Sequence, residues 1–156
     1  MHDEDSIRCM PQAPRQIKSN HLYEICFRAR ENLPLPVTNY MKLLISCILS
    51  RTQRDFKVDI CHHLWQGNHP HIVAILKDAD QARCFYMELQ KKLTDAIKRL
   101  LGLEYLHIWA GTPRVIEIPD LESAIKMIAY YYANPAAAHL VESIEQYPGL
   151  SSWTDF

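Results

Sequence analysis

Between Val58 and Leu76 two extended runs face each other across Gly67-Asn68, and few folds accept them. Val58–Gln66 and His69–Leu76 are too close in sequence for a crossover connection, so they pair as an antiparallel hairpin. The second run ends in Ile72-Val73-Ala74-Ile75-Leu76, apolar at consecutive positions and therefore on both faces. Such a strand belongs in the middle of a sheet with cover on each side. The rest of the chain has to supply its neighbours and its covering layers.

His21–Arg30 alternates Tyr23, Ile25, Phe27 and Ala29 with Glu24, Cys26, Arg28 and Arg30, the period of a strand with one buried face. Leu33-Pro34-Leu35-Pro36 ends it. Thr38 or Asn39 caps a helix running to Phe56, with Met41, Leu44, Ile45, Ile48 and Leu49 inward and Lys42, Arg51, Arg54 and Lys57 toward solvent. A second helix starts near Asp80, buries Phe85, Leu89, Leu93, Ala96 or Ile97, and Leu100, and stops at Gly102. Tyr105–Ala110 and Val115–Ile118 are extended, joined or interrupted by Gly111-Thr112-Pro113. Asp120 caps a third helix, with Ile125, Ile128 and Ala129 packing inward. Pro135 is expected to kink or end it, or Asn134-Pro135 opens a following helix over 136–144. Tyr147-Pro148-Gly149 makes a turn, and the chain closes without an obvious terminal element, a pattern compatible with a longer natural protein.

The order is β-α-β-β-α-β-α. Its first six elements predict an α+β, ferredoxin-like domain, with two helices over one face of an antiparallel sheet. The other face is left for a ligand or for the last helix. Residues 1–20, punctuated by Pro11 and Pro14, read as an irregular lead-in, and 21–153 as one domain.

Composition narrows the function classes. With 156 residues, 48% of them hydrophobic, the chain fits one domain with a full core and is not disordered. No apolar run approaches the roughly 20 residues of a membrane span. The acidic start Met1-His2-Asp3-Glu4-Asp5 lacks a signal peptide's charged-then-apolar pattern. A cytoplasmic protein without a membrane partner is expected, as a monomer or homodimer. Cys9, Cys26, Cys47, Cys61 and Cys84 are odd in number and lack CxxC spacing, which predicts reduced core thiols. The net charge of −1 does not announce a nucleic-acid binder. Its distribution says more: residues 38–107 hold ten Lys/Arg against seven Asp/Glu, whereas from Val115 onward Lys126 stands against six acidic residues. A polyanion contact is expected on the first two thirds, with Arg28 and Arg30 sharing a strand face as candidates for phosphate.

His69-Pro70-His71 aims two imidazoles to one side of the central strand. Polar groups there need partners, either backbone or a metal ion. Pro70 cannot donate a ladder hydrogen bond, so the strand either bulges or leaves that position unpaired. On the third helix Tyr130 and Asn134 are four apart and share a face, whereas Tyr131 and Tyr132 point elsewhere. Two imidazoles with an amide oxygen shift a site toward Mg or Mn. A tyrosine hydroxyl beside such a metal is arranged for phosphoryl transfer. Two other uses compete. One is a non-catalytic nucleic-acid-binding module that stacks bases on Tyr23, Phe27, Trp65 and Trp109. The other is a metallohydrolase that adds His62 to His69 and His71, although no established zinc-enzyme spacing is present and Asp59 and Asp78 are not clearly placed as its base.

Four stretches resemble one family in order. His21-Leu22-Tyr23-Glu24-Ile25-Cys26-Phe27-Arg28-Ala29-Arg30 is similar to its opening strand, and Asn68-His69-Pro70-His71-Ile72-Val73 to its Asn-His-x-His-hydrophobic motif. Tyr130-Tyr131-Tyr132-Ala133-Asn134-Pro135 resembles its Tyr-x-x-x-Asn-Pro motif, and Tyr147-Pro148-Gly149-Leu150-Ser151-Ser152-Trp153 its closing motif. The family is that of REP-associated tyrosine transposases, within the His-hydrophobe-His (HUH) single-strand nucleases. The resemblance spans residues 21–153. It implies a ferredoxin-like fold with the tyrosine on a C-terminal helix, and a divalent cation, Mg or Mn, on His69, His71 and Asn134. It implies Tyr130 as nucleophile, cleaving and rejoining single-stranded, hairpin-bearing DNA through a 5′-phosphotyrosine intermediate. The sequence departs from the pattern at Pro70, where a strand-forming apolar residue is common, and at Gln66-Gly67, where Met-Pro is frequent.

Overall fold

The computed structural model describes residues 16–36 and 38–155; most of the expected lead-in, residues 1–15, lies outside them. The hairpin forms where its turn residues dictate. Strands β2 (Asp59–Gln66) and β3 (His69–Leu76) pair antiparallel from Asp59↔Ile75 to Gln66↔His69. Gly67 turns the chain at φ 54°, a region glycine enters without steric cost. On the other side of β3 lies β1 (His21–Ala29), paired from His21↔Leu76 to Cys26↔His71. Outside β1 lies β4 (Trp109–Ile118). The extended pieces are joined into one strand, which starts at Trp109: the register shifts between Cys26↔Arg114 and Arg28↔Ala110, so residues 111–113 bulge out. A two-residue strand, β5 (Leu150–Ser151), adds to the β2 edge. The order β4-β1-β3-β2-β5, antiparallel throughout, contains the ferredoxin-like sheet expected from the sequence.

Helices α1 (Asn39–Phe56) and α2 (Ala79–Leu100) cover one face. Thr38 and Asp78 cap them, each side chain accepting from the backbone N–H three residues on. The alternation of β1 places Tyr23, Ile25, Phe27 and Ala29 in this layer, against Ile45, Leu49, Phe85, Leu89 and Leu93. Leu100, expected inward, is exposed at the helix end. Three of the four described cysteines are also exposed: Cys47, Cys61 and Cys84 are free thiols on the surface, and only Cys26 is buried. Cys47 and Cys84 sit off the stripes of Ile45/Leu49 and Phe85/Leu89, and Cys61 falls at a register shift between Ile60 and His62.

Helix α3 (Leu121–Ala137) takes the opposite face, capped by Asp120, which accepts from Ser123 N–H at 2.7 Å. It packs over a smaller cluster of Leu64, Val73, Ile118, Ala124 and Tyr131. Its inward residues are Ala124, Tyr131 and Pro135, while Ile125 and Ala129 are exposed and Ile128 is half-buried. The helix is therefore turned by one position, about 100°, from the expected orientation. Ala124 lets the helix approach closely, and Tyr131 brings both a ring and a hydroxyl to a sheet face that contains polar groups. Pro135 does not end the helix. It is buried in the last turn, where its missing N–H removes a single bond, and His139 at φ 54° closes the element. Residues 136–144 form no further helix; a short 3₁₀ turn follows at Ile144–Gln146. The tail is an element after all: Tyr147 Oη donates to Trp65 O at 2.7 Å, and Ser152 Oγ accepts from His63 N–H at 2.9 Å. Among the described residues no helix is long and apolar enough to cross a membrane.

Candidate active site

Side chains alternate along β3, so His69, His71 and Val73 face α3 while Ile72 and Ala74 face α1 and α2. Pro70 leaves this alternation intact. It lies opposite Trp65 on β2, and the ladder to β1 stops one residue short of it, at Cys26↔His71. The strand therefore leaves the position unpaired toward β1 instead of bulging. The two imidazoles lie on one side with centroids 5.0 Å apart and planes at 73°.

Each ring is held through Nδ1. His69 Nδ1 donates to Asn68 Oδ1 at 2.9 Å, and His71 Nδ1 donates to Glu24 Oε1 at 2.6 Å. Glu24 pairs with Val73, so it reaches His71 diagonally across the β1–β3 ladder. Only 8% of Glu24 is exposed. Burial works to raise its pKa, but hydrogen bonds from His71 and Tyr131 and the nearby charges outweigh it and hold the carboxyl below its ordinary range. An ionised carboxylate only accepts, so Nδ1 of His71 carries the proton of this bond. Burial, then His71 and Arg28, push the His69 imidazole down to about 4, so it is neutral at pH 7.

Helix α3 supplies the opposite wall. Contrary to expectation, Tyr131 points into the site. Its ring stacks on His71 with centroids 4.6 Å apart, and its hydroxyl donates to Glu24 Oε1 at 2.6 Å. Burial, and then Glu24, push its phenol well above the usual range. Tyr132 Oη lies 3.0 Å from His62 Nδ1, toward the β2 edge. Tyr130 is 63% exposed, its ring 6.4 Å from that of Tyr131. Asn134 Nδ2 donates to Gln66 Oε1 at 2.9 Å, and Gln66 is the cross-strand partner of His69. That bond orients the amide so that Oδ1 is its remaining acceptor.

These donors fit a divalent cation. His69 and His71 have their Nδ1 atoms engaged by oxygen acceptors, the arrangement that presents Nε2 to a metal. Asn134, on the helix above, carries an amide oxygen and is tied through its Nδ2 to Gln66, the cross-strand neighbour of His69. Among the described residues no group of three or more His, Cys, Asp or Glu is assembled for a metal, so a three-histidine centre with His62 is not formed.

The arginines separate. Arg28 is exposed on β1, on the α3 side of the sheet. Arg30 lies past the end of β1 in a 3₁₀ turn, where its Nε donates to Trp109 O at 2.9 Å, so the two do not share a strand face. The aromatics considered for base stacking belong to the other layer. Tyr23 and Trp65 are fully buried, and Phe27 packs edge-on against both Trp65 and Trp109. Glu24, Gln66 and Tyr131 are site residues that the sequence reading did not single out. The available signal for Glu24 was a carboxylate on the strand face left for the last helix.

No protein-family model matches the chain, and no curated protein matches it. Solved structures match its fold, an α+β sheet of antiparallel strands with three helices. One is a REP-associated tyrosine transposase bound to a REP hairpin: 20% identity, TM-score 0.75, covering 94% of this chain and 84% of that one. Another is a protein of Deinococcus radiodurans R1 assigned as a transposase: 11% identity, TM-score 0.53, covering 80% of this chain and 97% of that one. At these identities the likeness is one of fold.

Proposed function

We propose that the chain is a transposase-type, DNA-processing enzyme that cleaves and rejoins single-stranded, hairpin-bearing DNA, with Tyr130 as nucleophile and with His69, His71 and Asn134 holding Mg or Mn. The observation that carries the reading is the pair of anchored imidazoles on β3 beneath the helix bearing Tyr130 and Asn134. The shared fold with a transposase bound to a REP hairpin supports hairpin-bearing DNA as the partner.

The surroundings of the three consecutive tyrosines support Tyr130 among them. Tyr131 is buried against a carboxylate that disfavours its phenolate, and Tyr132 lies against His62. Tyr130 is 63% exposed, which supports access of a DNA strand to its side chain. A bound cation supplies charge stabilisation at the scissile phosphate. The Tyr130 oxygen forms the bond to phosphorus as the bond to the 3′ oxygen breaks. The phenolic proton goes to solvent, and the leaving oxygen takes up a proton to become a free 3′-OH. Attack by a 3′-OH on the 5′-phosphotyrosine reverses the step and rejoins a strand. The exposure of Arg28 on the same side of the sheet supports it as a phosphate contact.

The test is a denaturing gel of labelled single-stranded hairpin DNA incubated with the full chain and Mg or Mn. A slower band that survives denaturant, needs the cation and is absent in Tyr130→Phe is the expected result. Binding without an adduct for any hairpin flanking the native gene would replace this reading with that of a non-catalytic nucleic-acid-binding module.

A further inference from the structure

We propose that Glu24 is the positioning residue of this site, its single oxygen Oε1 taking both the His71 Nδ1–H and the Tyr131 hydroxyl so that His71 is locked with Nε2 outward. The inference rests on the metal-site reading above and assigns it a residue outside the motif histidines.

The geometry divides the task between two side chains. The stacked ring of Tyr131, 4.6 Å away at 29°, limits how far the His71 plane can tilt. It leaves open a half-turn of the imidazole within that plane, which would exchange its two edges. The Glu24 carboxylate removes that freedom, because only the Nδ1 edge can donate to it. Tyr131 is itself aimed by the same oxygen, at 2.6 Å. One buried carboxylate thus ties β1, β3 and α3 together at the ring whose direction matters. His69 is held separately, by Asn68. Outer partners of metal-binding histidines typically change metal affinity by about 10–100-fold when removed.

The experiment uses the full chain and two readouts. The first is the His71 tautomer in metal-free protein at neutral pH, from imidazole nitrogen chemical shifts. The second is Mn²⁺ affinity by calorimetry. Wild type is expected to show His71 protonated on Nδ1. Glu24→Leu is expected to lose that tautomer while His69 keeps its own, and to bind Mn²⁺ about 10–100-fold more weakly. Glu24→Gln retains an acceptor oxygen without the charge and should fall between the two. Tyr131→Phe should keep the tautomer, since the carboxylate remains. His71 protonated on Nε2 in wild type, or Mn²⁺ affinity within twofold of wild type in both Glu24 variants, would overturn the proposal. If Glu24→Leu does not fold, the near-isosteric Glu24→Gln decides by the same twofold criterion. If wild type binds no Mn²⁺, the metal reading fails, and the metal-free tautomer still decides the role of Glu24.

Discussion

Two adjacent tyrosines should respond unequally to losing their hydroxyls. Tyr131 is 3% exposed, and its hydroxyl donates to the buried Glu24 carboxylate at 2.6 Å. A hydrogen bond to a charged group is worth about 1.5–3 kcal/mol. Glu24 keeps its donor from His71 in Tyr131→Phe, so the cost should fall near the lower end, about 1.5–2 kcal/mol. Tyr130 is 63% exposed, and Tyr130→Phe should stay within about 0.5 kcal/mol, as surface changes usually do. Urea denaturation of the full chain measures both. With a slope of about 1–3 kcal/mol per molar, Tyr131→Phe lowers the midpoint by about 0.5–2 M at unchanged slope, and Tyr130→Phe shifts it far less. Equal shifts, or a larger one for Tyr130→Phe, would refute the orientation of α3 and with it the separation of a structural from a reactive tyrosine. The expected result also makes Tyr130→Phe a clean probe of chemistry, because the variant folds.

Three further outcomes are expected. Ser152→Ala strips a buried hydroxyl that accepts from His63 N–H at the sheet edge, and should cost about 1–3 kcal/mol, read as a lowered Tm by circular dichroism. A Cβ at position 149 would fall on the Tyr147 ring, so Gly149→Ala should dislodge the ring and its bond to Trp65 O; about 1–3 kcal/mol is expected in denaturant titration, and Tyr147→Phe in the same background should add little. The depressed pKa of His69 means that the unfolded chain binds a proton there before the native chain does. That contribution to metal-free stability is complete above about pH 6.5 and is lost as pH falls toward about 4. His69→Gln should flatten this part of the stability–pH curve.

The hairpin, the central place of β3 and the same-sided histidines were legible because each rests on a local rule: a turn residue, an apolar run on both faces, a period of two. The orientation of α3 was not. Residues 124–133 are apolar or aromatic at nearly every position, so periodicity cannot choose between the face of Ile125 and Ala129 and the face of Ala124 and Tyr131. Tertiary contact with the sheet makes the choice. The burial of Glu24 was hidden for a related reason. It occupies the polar side of an alternating strand, and it becomes a buried group only because α3 covers that side. Cys47 and Cys84 show the converse, lying in apolar segments yet off the inward stripe. β5 is two residues long, too short to carry any period. The candidate ligands His69, His71 and Asn134 came from spacing and resemblance; their partners Glu24, Asn68 and Gln66 needed the fold.

The most direct test of the central claim is to digest a trapped protein–DNA adduct and localise the nucleotide by fragment-ion mass spectrometry within Tyr130-Tyr131-Tyr132. The account predicts the added mass on Tyr130, with the phosphate joined to its oxygen. Attachment at Tyr131 or Tyr132, or an adduct that persists in Tyr130→Phe, would contradict it.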